Sequence, residues 1–173
     1  MKRMSVHEKG EYLSDMVFSA SDGLVTTFAV VAGSAGAVLD PRIVLILGFA
    51  NLFADGFSMA SGNYIGAKSE IEYEKSEGKE TKGNGSPFLH GLFTFISFNL
   101  AGLIPLAPFV FKFEPTFGFS TIFVGLGLFS VGLLRNIFTK KGFLQSGLES
   151  LTIGGFAALV AFMSGYLIDK YLI

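Results

Sequence analysis

The 173-residue chain contains neither cysteine nor tryptophan. Without thiols it can form no disulfide, no thiolate metal site and no cysteine nucleophile. Without tryptophan, an aromatic belt at a membrane boundary has to be built from tyrosine and phenylalanine. Charge is scarce as well. Only 16% of the residues are Asp, Glu, Lys or Arg, against about 25% in an ordinary soluble domain. The charges nearly cancel, with 13 basic and 14 acidic residues and a formal net charge of −1. The broad positive field that attracts nucleic acid is therefore missing, and no nucleic-acid partner is expected. Phosphate loops, nucleophile triads and zinc-ligand spacings are also lacking. Neither an enzyme nor a resident cofactor is expected.

What fills the chain is apolar. Half of it is hydrophobic, with 20 phenylalanines and 22 glycines, and the mean hydropathy is +0.55. Glycine at this frequency suits helices packed closely in lipid. Five stretches approach the roughly 20 apolar residues a spanning helix needs: residues 17–39, 43–67, 88–111, 117–134 and 147–168. The expected fold is an all-α polytopic membrane protein with five transmembrane helices. Residues 1–16 read as a cytoplasmic amphipathic segment rather than a signal peptide, because no apolar stretch precedes Val17. Residues 17–173 form the transmembrane domain, with a charged loop at 68–87. That loop extends span two as a polar helix to about Glu80 and then turns through TKGNGSP. Pro105 and Pro108 are expected to kink or end span three. Arg135, just past span four, is expected to snorkel to the interface.

Basic residues set the orientation. Ten fall on one side (Lys2, Arg3 and Lys9; Lys68, Lys75, Lys79 and Lys82; Arg135, Lys140 and Lys141) and only Arg42, Lys112 and Lys170 on the other. The N-terminus and the 68–87 loop are therefore assigned to the cytoplasm and the C-terminus to the opposite side. The membrane is the plasma membrane in a prokaryote, and a vacuolar or other endomembrane in a eukaryote.

Two carboxylates stand inside apolar spans, Asp22 in the first and Asp55 near the middle of the second. A charge at that depth costs about 2.5–3.5 kcal/mol on insertion scales and persists where it serves a cation or a partner. Asp55, Met59 and Asn63 recur at i, i+4, i+8 and share one helix face, with Ser58 beside them and Gly62 and Gly66 as a close-packing surface. With Pro41 as the hairpin turn, Asp22 lies nineteen residues before it and Met59 eighteen after it. That places Asp22 and Met59 at one level and Asp55 about one turn deeper. Carboxylate oxygen, thioether sulfur and amide oxygen together suit a first-row transition metal better than Mg²⁺ or Ca²⁺. Asp22, Met59, Asp55 and Asn63 are thus the candidate metal residues. Blander readings stand beside them. Asp22 caps a shorter span one, Met59 fills the core, and Asn63 joins helices. Ser21-Asp22-Gly23-Leu24 also echoes Ala54-Asp55-Gly56-Phe57. In the loop, Glu70, Glu74 and Glu77 form a weak cation-attracting surface or simply a solvated, ion-paired helix. His7 and His90 are isolated, and Glu149 reads as interfacial or as part of a cation path.

The segments SDGLVTTFAVVAGSAGA at 21–37 and ANLFADGFSMASGNYIGAKSE at 50–70 closely resemble the first two helices of the vacuolar iron transporter family. The resemblance implies five-helix subunits assembled as a homodimer, moving Fe²⁺ and often Mn²⁺ out of the cytosol in exchange for protons. The metal is then a substrate, and the partners are the divalent cation, protons and the bilayer. The family's pore Asp falls on Asp22 and its pore Met on Met59. A pore-region Glu of some members falls near Asn51, which is not acidic. Larger members carry a helical metal-collecting domain after span two. Here the 20 residues of the loop, with five Glu and no Met, stand in its place. A non-transporting membrane scaffold or accessory subunit is the alternative function.

Overall fold

The computed structural model describes residues 5–78, 85–139 and 142–172. These residues form five helices and no strand: α1 (Val6–Gly36), α2 (Pro41–Ser76), α3 (Pro87–Val110), α4 (Thr116–Thr139) and α5 (Phe143–Leu172). All five contain a segment long and apolar enough to cross a membrane. The chain is a five-helix polytopic membrane protein, as its composition leads one to expect.

Local chemistry sets the helix ends. At the start of α1 the Ser5 hydroxyl accepts from the Glu8 backbone N–H at 3.1 Å, and the Ser5 N–H donates to the Glu8 carboxylate at 2.5 Å. This capping box satisfies two donors that would otherwise be orphaned. The helix then runs unbroken from Val6, eleven residues before the first apolar span begins in the sequence. Asp22 therefore lies in mid-helix, and the reading of it as an N-cap is overturned. Four residues, Ala37 to Asp40, turn the chain. Asp40 caps α2 by accepting from Arg42 N at 2.8 Å, and Pro41 occupies the first helical position. The polar extension of α2 ends at Ser76, short of the expected Glu80, because Glu77 caps it and Gly78 turns the chain with a positive φ; residues 79–84, with most of the TKGNGSP turn, lie outside the described residues. Pro105 and Pro108 do not end α3, which continues to Val110. The Ser120 hydroxyl donates to the Pro105 carbonyl at 2.8 Å and ties α4 to this stretch.

Helix α1 is the hub. It packs along α3 and α5 and more lightly against α4 and α2, while α2 rests chiefly on α3. The core is built of Leu24, Phe28, Val31, Leu52, Phe98 and Leu106 with their neighbours. Lipid is as apolar as these side chains, so close packing rather than dehydration holds the helices together. Glycine provides the closeness. A methyl on Gly23 would collide with the Phe98 carbonyl oxygen, and one on Gly165 with the Gly33 carbonyl oxygen. Backbone thus lies on backbone where α1 crosses α3 and α5. At the end of the bundle that carries the N-terminus, Arg135 of α4 and Glu149 of α5 pair at 3.4 Å. This favours the interfacial reading of Glu149.

Candidate functional site

The site lies where α1, α2 and α3 meet. Near the N-terminal end of the bundle, Asp15 of α1 receives a hydrogen bond from the Asn63 amide of α2 at 3.4 Å, and its other oxygen is 2.5 Å from Nδ1 of His90 on α3. A carboxylate carries no hydrogen, so the imidazole N–H is the donor. Asn63 also donates to the Thr94 hydroxyl of α3 at 2.6 Å. Asp15 of α1, Asn63 of α2, and His90 and Thr94 of α3 are thereby locked together. Tyr12 closes the cluster: its ring lies 4.5 Å from that of His90, and its hydroxyl accepts from Ser86 N at 2.6 Å. A polar cavity of about 360 Å³ opens beside it, lined among others by Glu11, Asp15, Asn63, Glu70 and His90. His7 and Glu11 pair at 3.1 Å at its edge.

This lock sets the register of the deeper residues. Seven residues along α1 from Asp15 is Asp22, and seven back along α2 from Asn63 is Gly56, the neighbour of Asp55. Asp22 therefore stands level with Asp55 on the neighbouring helix. Met59 sits about one turn nearer the lock, level with Ser19. The hairpin estimate that levelled Asp22 with Met59 is off by about one turn. The reason is local: the turn is Ala37–Asp40, not Pro41, so its midpoint falls earlier in the chain. Met59 is half-buried and packs against the margin of the apolar core.

The candidate residues accordingly divide into layers. Asp22 and Asp55 form a half-buried carboxylate pair inside the spans. Met59 lies above them, and Asn63 above Met59 in the lock. Glu70 reaches the polar cavity; half-buried Glu74 and exposed Glu77 continue along the polar part of α2 and do not line it. Lys68 and Glu72 pair at 3.9 Å across one turn of that segment. His90, read as isolated in the sequence, is 9% exposed and central to the lock. Asp15 and Glu11 were not singled out by their sequence context. The signal available was Asp15 and Asp22 seven residues apart, two turns on one face of α1. Among the described residues, no three His, Asp or Glu side chains converge closely enough to hold a metal by themselves.

Fold and site together define a polytopic membrane protein with a polar cavity at one end of its helices and two carboxyl groups, Asp22 and Asp55, further along them. Comparison with known proteins identifies the group. The model of the VIT family matches residues 13–84 and 80–166, the two matches meeting in the connector between α2 and α3. The chain belongs to the VIT family. Vacuolar iron transporter homolog 4 of Arabidopsis thaliana is 32% identical over 161 residues, covering 88% of this chain and 81% of that protein. The Vacuolar iron transporter of Plasmodium berghei is 24% identical, covering 91% of this chain and 82% of that protein. That second alignment runs over 225 positions, more than the 173 residues present here; the Plasmodium protein carries residues this chain does not. The Vacuolar iron transporter of Toxoplasma gondii is 40% identical over 76 residues, 44% of this chain and 25% of that protein.

Proposed function

We propose that the protein exports Fe²⁺, and with it Mn²⁺, from the cytosol as a homodimer, in exchange for protons. The observation that supports this reading is that two carboxyl groups, Asp22 and Asp55, stand at one level inside the apolar spans, on helices tied in register by Asp15 and Asn63. Two adjacent acids at membrane depth repel when both are ionised, and a divalent cation relieves that repulsion. Protons relieve it equally well. One pair of groups can therefore take either a cation or protons but not both at full charge, and this is the chemistry exchange requires. The names of the relatives supply iron as the cargo. Met59, one turn away, offers a sulfur that favours a transition metal over Mg²⁺ or Ca²⁺.

The polar cavity at the N-terminal end serves as the cytoplasmic entrance, in keeping with the basic residues that flank that end. Glu70 in its lining attracts the cation, and Glu74 and Glu77 extend the negative surface outward. Asn63 hands the ion from the lock to Met59 through its side-chain carbonyl. The exposed face of α2, where a methyl added at Gly62 or Gly66 would meet nothing within 4 Å, forms the contact between subunits. Both copies of the carboxylate pair then lie near the twofold axis.

Reconstituted protein with a pH dye inside the vesicles tests the exchange. External Fe²⁺ is expected to drive proton release from the lumen, and an acid-inside gradient to accelerate metal uptake. Metal uptake with no proton movement would remove antiport from the proposal. Absence of metal uptake in any gradient would favour the scaffold reading.

A further inference from the structure

We propose that Asn99 of α3 supplies a neutral oxygen ligand to the cation held by Asp22 and Asp55; the inference rests on the transport reading above. Asn99 lies in the membrane-spanning part of α3 and is 8% exposed. Its amide nitrogen donates to the Phe95 carbonyl of its own helix at 2.8 Å. Only an NH₂ group can satisfy that carbonyl, so the orientation of the amide is fixed. Its other end, Oδ1, is buried and meets no hydrogen-bond donor among the described residues. A buried carbonyl without a donor costs about 1–3 kcal/mol, and in a bilayer water does not remedy it. A group kept at that cost is a candidate for binding something that comes and goes.

Its position says what. A methyl on Gly56 of α2 would come within 2.5 Å of the Asn99 amide nitrogen and 3.3 Å of its side-chain carbonyl carbon. Gly56 is the neighbour of Asp55. On the other side, Gly23 of α1, the neighbour of Asp22, abuts the backbone of Phe98, the residue before Asn99. The two Asp-Gly pairs thus press their glycines onto adjacent residues of α3, and the asparagine stands at the level of both carboxylates. Two carboxylates already balance the charge of a divalent ion. A third carboxylate would add a net negative charge and hold the ion against release. A neutral carbonyl oxygen adds coordination without that charge and gives the hard part of a mixed oxygen and sulfur shell.

The test is Mn²⁺ binding to the protein in nanodiscs, followed by loss of the free-ion electron paramagnetic resonance signal. Asn99→Leu keeps the branched skeleton of the side chain, with bulkier methyl groups, and removes the oxygen. Its dissociation constant is expected to rise about tenfold or more, equivalent to roughly 1.4 kcal/mol, while the melting temperature without metal holds or increases. A folded Asn99→Leu that binds like wild type overturns the proposal. If Asn99→Leu does not fold, the near-isosteric Asn99→Asp decides. It keeps an oxygen in place and adds charge, so Mn²⁺ should bind more tightly and leave more slowly; unchanged affinity overturns the assignment. Asp22→Asn separates the two levels of inference. If it loses affinity while Asn99→Leu does not, Asn99 alone is misassigned. If neither it nor wild type binds Mn²⁺ measurably, the cation site itself is wrong.

Discussion

Asp22 and Asp55 each precede a glycine, and the glycine explains the position of the acid. Gly23 and Gly56 both press against α3 at Phe98 and Asn99, so each neighbouring carboxyl group is held beside the same crossing. The four-residue echo in the sequence is a repeated packing device. Asp55 was legible because a charge in the middle of an apolar run stands out. Asp15, His90 and Asn99 were not, because each looks ordinary for its place: an acid before a span, a histidine at a helix start, an amide among apolar residues. Their meaning comes only from three helices meeting. Met59→Leu preserves volume and apolarity, so folding should change by less than about 1.5 kcal/mol. It should reduce Fe²⁺ transport at least several-fold while leaving any transport of harder ions nearly intact, measured as competing uptake rates. Equal loss for all ions would make Met59 a packing residue. Asp15→Ala leaves Asn63 and His90 without their shared acceptor. It is expected to cost about 1–3 kcal/mol of stability, read as a lower melting temperature. An unchanged melting temperature would mean that the three-helix lock contributes nothing to holding α1, α2 and α3 in register.

At the scale of elements, the helix count and the approximate spans followed from apolar length alone. Their ends did not, because caps rather than hydropathy decide them. Ser5 and Glu8 extend α1 well beyond its apolar part, and the four-residue turn shifts the register of α2 by one turn. Gly23→Ala tests the α1–α3 crossing, since the added carbon meets a backbone oxygen that cannot move aside. Overpacking of this kind costs about 1–3 kcal/mol and should lower the melting temperature and disturb cation binding together. Gly10→Ala is the matched control. Nothing lies within 4 Å of its added carbon, so the better helix former should stabilise by up to about 1 kcal/mol. If the two substitutions behave alike, the close approach of α1 to α3 is not what stabilises the bundle.

For the whole molecule, orientation and assembly are open to direct test. A tag following Leu172 is expected on the side opposite the cytoplasm; cytoplasmic accessibility would reverse the basic-residue assignment. The protein is expected to be a dimer in detergent, measured by mass in solution, and Gly62→Leu, which places a large side chain on the open face of α2, should convert the proposed dimer to monomer. A dimer unaffected by it would move the interface to another helix. The central claim is that the Asp22–Asp55 pair carries the cation across the membrane. Fe²⁺ uptake into proteoliposomes, wild type against Asp22→Asn, tests it most directly. Asp22→Asn keeps the shape of the side chain and removes its charge. Wild type is expected to accumulate Fe²⁺ above protein-free vesicles, and Asp22→Asn to fall at least about tenfold, a barrier difference of roughly 1.4 kcal/mol or more. Uptake by correctly folded Asp22→Asn at the wild-type rate would contradict the account.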